Sequence, residues 1–175
     1  MVYTASFIPS QDIGNVTAET QFKNSNGAQA NLVLPADGQF INSRLKIRLG
    51  GRVATTSNLT FTVNLYFGTS ATIASNTLLL SSGAQTVNTK KTNWHMDVDV
   101  FWDNDSNTFC GIGAGQMANG PIGPSALANV PSANPNVRNT ISNAATAYGL
   151  TVTGQFSGSS TGNHSFLDVF NVELL

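Results

Sequence analysis

Charge is what this sequence has least of. Only 10% of its 175 residues are Asp, Glu, Lys or Arg, and the formal net charge is -1. A protein whose main partner is nucleic acid carries a strongly basic balance, so the composition speaks against that class. Cysteine occurs once, at Cys110, which excludes an internal disulfide and leaves packing and hydrogen bonds to hold the fold. No run approaches the ~20 apolar residues that cross a bilayer, so no membrane partner is expected. The opening MVYTASFIPSQD has neither a basic start nor a long apolar centre, so a secretory signal is not expected and synthesis in a cytoplasm is. A helical period is missing beyond a turn or two, and no internal repeat points to a propeller or solenoid.

What is present is alternation. Asn, Ser and Thr supply the polarity, and these residues favour turns and strand surfaces over helix interiors. The length suits one domain spanning 1–175, with a core large enough to need no staples. Val2 to Ile8 is a short apolar stretch stopped by Pro9, either an edge strand or part of an N-terminal arm over residues 1–14. From Ile41 to Leu49, Leu45, Ile47 and Leu49 face in while Arg44, Lys46 and Arg48 face out, and Gly50-Gly51 is expected to end the strand. Leu59 to Phe67 alternates over its whole length, with Phe61, Val63 and Leu65 inward, and Trp94 to Trp102 does the same with Met96, Val98 and Val100. Thr108 to Met117 carries Gly111, Gly113 and Gly115, a flat face suited to close approach or a bend.

Residues 119–145 hold four of the six prolines and read as a projecting loop. Tyr148 to Leu175 then reads as a closing hairpin around the polar turn Ser157 to Asn163. Its second arm is apolar on both sides, with Phe166, Phe170, Val172 and Leu174 on one face and Leu167, Val169 and Leu175 on the other. Outward-facing Leu167 and Val169 make this strand an expected contact between copies. The whole pattern predicts an all-β, antiparallel two-sheet sandwich of jelly-roll type, with a long Pro-rich loop before the last hairpin.

Chemical motifs have plain readings. Gly158-Ser159-Ser160-Thr161-Gly162 matches G-x-S-x-G, but the nucleophile elbow needs a strand-to-helix turn over a parallel sheet, and here the motif lies between two strands. Gly111-Ile112-Gly113-Ala114-Gly115 lacks the third glycine and the helix of a phosphate-cradling loop. Asp103, Asp105 and Asn107 open like a calcium loop but lack its glycine and closing glutamate, so a solvated turn is the default and calcium the alternative. His95, His164 and Cys110 share no short zinc-ligand spacing. No cofactor and no small-molecule ligand are expected. Arg44, Lys46, Arg48 and Arg52 gather half of the basic residues, and Asp97, Asp99, Asp103 and Asp105 gather acids. Two solvated strand faces are the default, and charge complementarity between copies or with a larger surface is the alternative.

The order L-T-V-T-G-Q-F-S-G-S-S-T-G-N-H-S-F-L-D-V-F-N-V-E-L-L (Leu150 to Leu175), with the alternation of Leu59 to Phe67 and of W-H-M-D-V-D-V-F-W (Trp94 to Trp102), resembles small all-β structural proteins of tailed bacteriophages. Head decoration, or cement, proteins are the nearest kind. The resemblance implies a virion component without enzymatic activity, a homotrimer on the capsid surface that clamps major capsid subunits and is synthesised in the host cytoplasm. Under it, Val2, Tyr3, Phe7 and Ile8 suit an arm reaching a neighbour, and Arg44, Lys46, Arg48, Leu167 and Val169 suit oligomer or virion contacts. A carbohydrate- or receptor-binding domain of a tail tip or fibre is the alternative, with Tyr66 and Phe101 as stacking platforms. A hydrolase using Ser160 is third.

Overall fold

The computed structural model describes residues 3–6, 12–23, 31–33, 44–68, 73, 76–87, 91–103, 108–117, 139–140 and 149–175. Among them run twelve strands and no α-helix: β1 (Tyr3–Ser6), β2 (Thr20–Gln21), β3 (Asn31–Val33), β4 (Arg44–Ala54), β5 (Thr60–Gly68), β6 (Thr77–Ser81), β7 (Gln85–Thr86), β8 (Thr92–Asp103), β9 (Thr108–Met117), β10 (Asn139–Thr140), β11 (Gly149–Phe156) and β12 (His164–Leu174). They form two antiparallel sheets. The first runs β1-β12-β4-β8-β9-β10; the second runs β2-β11-β5-β6, with β3 also on β11 and β7 also on β5. This is the all-β sandwich that the alternation predicts.

The core lies between the inner faces. Leu45, Ile47 and Leu49 of β4, Met96, Val98 and Val100 of β8, and Phe61, Val63, Leu65 and Phe67 of β5 are all buried, as their period of two requires. Each such side chain contributes roughly 1.5–3 kcal/mol when removed from water. Phe61 and Phe156 pack with ring centroids 4.7 Å apart, and Phe22 reaches Trp94 of the opposite sheet at 6.4 Å. Gly113 of β9 lets the sheets close. A methyl there would stand 2.5 Å from Leu80 Cδ2 on β6, so the flat glycine face serves the approach of a side chain from the facing sheet.

Three expectations change. Gly50-Gly51 does not end β4, which continues to Ala54. Gly51 faces the core, where a Cβ would collide with the Phe166 carbonyl oxygen and lie 2.8 Å from the Trp94 ring. The glycine is there to make room for the neighbouring strand's carbonyl and an indole, not to turn the chain.

The last two strands are not a hairpin. β11 lies between β2/β3 and β5 in one sheet, while β12 lies between β1 and β4 in the other, so residues 157–163 form an arch across the sandwich. Alternation marks both strands, but it is silent on which strand each one pairs with.

The reading of β12 as apolar on both faces is also overturned. Its pairing with β4 shifts between Leu167, opposite Gly51, and Val169, opposite Gly50, leaving Asp168 as the extra residue of a β-bulge. Skipping Asp168 restores strict alternation: Ser165, Leu167, Phe170, Val172 and Leu174 are buried. Leu167 is therefore a core residue at 0% exposure and not an outward contact, while Val169 faces out at 37%. Arg52 of β4 donates from Nε and Nη2 to the two carboxylate oxygens of Asp168 at 2.6 Å each, and its guanidinium lies 4.6 Å from the centre of the Phe166 ring. The bulge thus has a bidentate partner that holds it in place.

Residues 3–6 form an edge strand on β12, Tyr3 opposite Leu174 and Ser6 opposite Asn171. Most of the Pro-rich segment lies outside the described residues, but Asn139–Thr140 within it pairs with β9.

Candidate functional site

Three polar regions on this scaffold carry chemistry. The first is the outer face of the six-stranded sheet. Antiparallel register places Arg48 directly opposite Asp97 and Lys46 opposite Asp99 on one side, and Lys46 opposite Glu173 on the other. Arg48 Nε donates to Asp97 Oδ1 at 2.9 Å; Arg44 reaches along the sheet to Asp99, with Nη2 2.7 Å from Oδ2. Hydrogen bonding to these aspartates holds the guanidinium pKa of Arg44 and of Arg48 above the ordinary arginine value. Arg44, Lys46 and Arg48 thus share one face with Asp97 and Asp99 on one side and Glu173 on the other. Exposed cross-strand pairs of this kind fix geometry more than they add stability. A shallow pocket of about 200 Å3 opens between β4 and β12, lined by Lys46, Arg48, Asn171 and Glu173. Val169 is exposed on this face beside Gly50. Phe101 is 39% exposed, with the Arg44 guanidinium carbon 5.2 Å from its ring centre, a cation-π contact.

The second region is on the outer face of the other sheet. Residues 12–22 run along β11, where Phe156 N donates to Val16 O, Phe22 N donates to Val152 O, and Gln155 Nε2 donates to Thr17 O. This path delivers Glu19 onto the sheet. Its Oε1 accepts from Asn64 Nδ2 at 2.7 Å, Tyr66 Oη at 2.8 Å and Thr153 Oγ1 at 2.5 Å, and Tyr66 also lies 3.0 Å from Oε2. Burial pushes the Tyr66 hydroxyl pKa well above the ordinary tyrosine value, and the Glu19 carboxylate adds to that shift. Tyr66 is therefore tied down at its polar end. Nothing in the local sequence marks Glu19; only the course of residues 12–22 brings it here.

The third region is the arch loop. Ser160 N donates to Asn15 Oδ1 at 2.7 Å, Asn15 Nδ2 donates to Ser159 Oγ at 2.9 Å, and the Ser160 and Thr56 hydroxyls share a hydrogen bond. Asn163 is buried and ties the loop together. It donates to Gly158 O at 2.9 Å and accepts from Thr55 Oγ1 at 2.6 Å. His164 Nδ1 pairs with Asp12 Oδ2, while Asp12 Oδ1 accepts from Gly14 N and Ser165 N. These bonds fasten residues 12–15 to the arch. No described bond links the Asp12–His164 pair to Ser159 or Ser160, and the G-x-S-x-G match lies between two strands and not on a strand-to-helix elbow.

Of the remaining sequence candidates, Val2, Phe7 and Ile8 lie outside the described residues, as do Asp105, Asn107 and the side chains of Tyr3 and Asp103. Among the described residues no group of three or more His, Cys, Asp or Glu could hold a metal ion. His95 is on the outer face of β8, apart from His164 at the start of β12.

No family model matches the chain, and no curated protein matches it. Among solved structures it is similar, at 11% identity and a TM-score of 0.36, to a chain from the carbohydrate esterase vb_24B_21 of the Shiga toxin-encoding bacteriophage phi24B, over 98% of this chain and 89% of that one. A likeness this distant carries no argument about what the chain does.

Proposed function

We propose that the chain is a non-enzymatic structural protein of a phage particle, a head decoration or cement protein that assembles as a homotrimer and docks where major capsid subunits meet. One observation carries the choice of docking face. Arg44, Lys46 and Arg48 stand in register on β4, at the centre of a six-stranded sheet, with Asp97 and Asp99 on one flank and Glu173 on the other. A sheet face with charges at fixed cross-strand positions selects the register of whatever lies on it. Exposed Val169 adds an apolar point to the same face, a part for which Leu167 is unavailable. Binding of this face to an assembled lattice, and not to free subunits, stabilises the shell by mass action.

The test adds purified protein to expanded heads that lack it and follows head mass and heat resistance, with mass photometry of the free protein alongside. A trimer that loads onto heads, and a Lys46→Glu variant that stays folded and loads poorly, are the expected results. A monomer that ignores heads overturns the proposal.

A further inference from the structure

The large apolar side chains exposed among the described residues, Phe101, Val169 and Leu175, lie on one surface. Phe101 keeps the phase of Asp99, and Val169 and Leu175 keep that of Asn171 and Glu173, so all three are on the outer face of the six-stranded sheet. The charges among them balance: Arg44, Lys46 and Arg48 against Asp97, Asp99 and Glu173. A partner of one sign gains nothing from such a face. Most of these charges are also committed, since Arg44 Nε and Nη2 hold the two oxygens of Asp99 and Arg48 Nε holds Asp97 Oδ1. Lys46 and Glu173 remain. They stand opposite each other on β4 and β12, both line the pocket of about 200 Å3, and neither has an ion-pair partner among the described residues.

A free cation beside a free anion is what a two-fold axis satisfies, because in an isologous contact residue i of one copy meets residue j of the other and j meets i. An axis along the strands, in the groove between β4 and β12, sets each β4 over the other copy's β12. Lys46 then meets Glu173 of the second copy, and Glu173 meets its Lys46. The neighbouring rows fit the same axis, since register puts Gly50 level with Val169, Arg48 with Asn171 and Arg44 with Leu175. Each Val169 faces a position without a side chain, each Asn171 amide oxygen faces an Arg48 guanidinium, and each Leu175 lies on the apolar stem of Arg44. Other alignments serve less well. An axis on β4, or one across the strands, lays β4 on β4 with cation against cation, and the seam between β4 and β8 offers aspartates already held by arginines of their own chain. Strands β1, β12, β4 and β8 over the length of residues 44–52 give a footprint of about 600 Å2 per copy, so the contact belongs with weak, reversible interfaces of about 1,200 Å2 in all.

We infer that this face is also a contact between two copies of the chain, related by a two-fold axis in the β4–β12 groove and paired through Lys46 and Glu173. It shares its surface with the proposed docking but needs no head, so free copies cover the face and loading uncovers it. Docking faces lie on one side of a trimer seated on a capsid, so paired trimers close as a hexamer and the mass doubles whether the dilute form is monomer or trimer. Sedimentation velocity of the full chain, from nanomolar to high micromolar and in low and high salt, is the test. The mass is expected to double with concentration, and salt to weaken the doubling. Lys46→Glu sets a carboxylate against the other copy's Glu173, and Glu173→Lys sets an ammonium against its Lys46, so each alone should weaken association by about tenfold or more, with a thermal melt reporting its folding. Mixed in equal amounts, one variant is acidic at both positions and the other basic at both, so the pair should associate more tightly than either alone. Three results overturn the inference: a wild-type mass that is the same at every concentration, a doubling that both variants keep, or a mixture that associates no better than its parts. Loading on heads is read separately. A protein that loads but never doubles removes this contact and keeps the docking, and one that doubles but ignores heads does the reverse.

Discussion

Truncating Leu167 and Val169 one at a time separates two accounts of the last strand. With regular alternation through Asp168 both side chains would face outward, and losing either would change assembly and leave the fold alone. The bulge puts Leu167 wholly in the core and leaves Val169 exposed. Leu→Ala at a fully buried site removes three carbons and leaves a cavity, at a cost of about 2–5 kcal/mol. In a domain of this size each kcal/mol lowers the melting temperature by roughly 2–4 °C, so a mid-range cost of about 3 kcal/mol lowers it by roughly 6–12 °C. Val169→Ala is a surface change, within about 0.5 kcal/mol, and shifts the melt by at most ~2 °C. Differential scanning calorimetry measures both, and light scattering gives the mass of each variant. Two small and equal shifts, or a Leu167→Ala protein with an unchanged melt and an altered mass, would refute the bulge and its consequences.

Adjacent glycines on β4 should behave differently. Gly51→Ala drives a methyl into the Phe166 carbonyl and the Trp94 ring and should cost about 3 kcal/mol or more, whereas a Cβ at Gly50 meets nothing closer than 3.5 Å and should be tolerated; urea denaturation of the two variants compares them. The Arg48–Asp97 pair is solvated, so a double-mutant cycle should find a small coupling at low salt that disappears at high salt, and a salt-independent coupling would contradict its exposure. Tyr66 supplies a pH dependence. Its hydroxyl pKa is raised above the unfolded value of 10.0, so the stability it contributes is complete below that value and is lost as pH rises through the folded pKa. Tyr66→Phe should therefore flatten the decline of stability in strong alkali, measured by denaturant titration at each pH, and a decline as steep as that of wild type would show that Tyr66 is not its source.

Alternation was the legible part. In β4, β5 and β8 every second residue is apolar, and burial follows that pattern because a strand alternates its side chains regardless of what it pairs with. The charged stripes were legible as stripes, but not as one face: Arg48 meets Asp97 only because β4 and β8 are neighbours, 49 positions apart in sequence. The Glu19 cluster left no local mark, since its members come from three separated segments whose polar residues are ordinary for outward strand positions.

By itself, then, the sequence determined the all-β class, the inner faces of the long strands and the polar nature of the arch, because each depends on side-chain period and turn chemistry over a few residues. Tertiary structure decided the rest. Pairing sent β11 and β12 to opposite sheets. The close approach of the Phe166 carbonyl and the Trp94 ring kept Gly51 inside a strand, and the inserted residue Asp168, held by Arg52, set which face of the last strand is core. A local pattern records that a residue alternates, but one inserted position reverses the phase, and only the partner strand shows where that insertion falls.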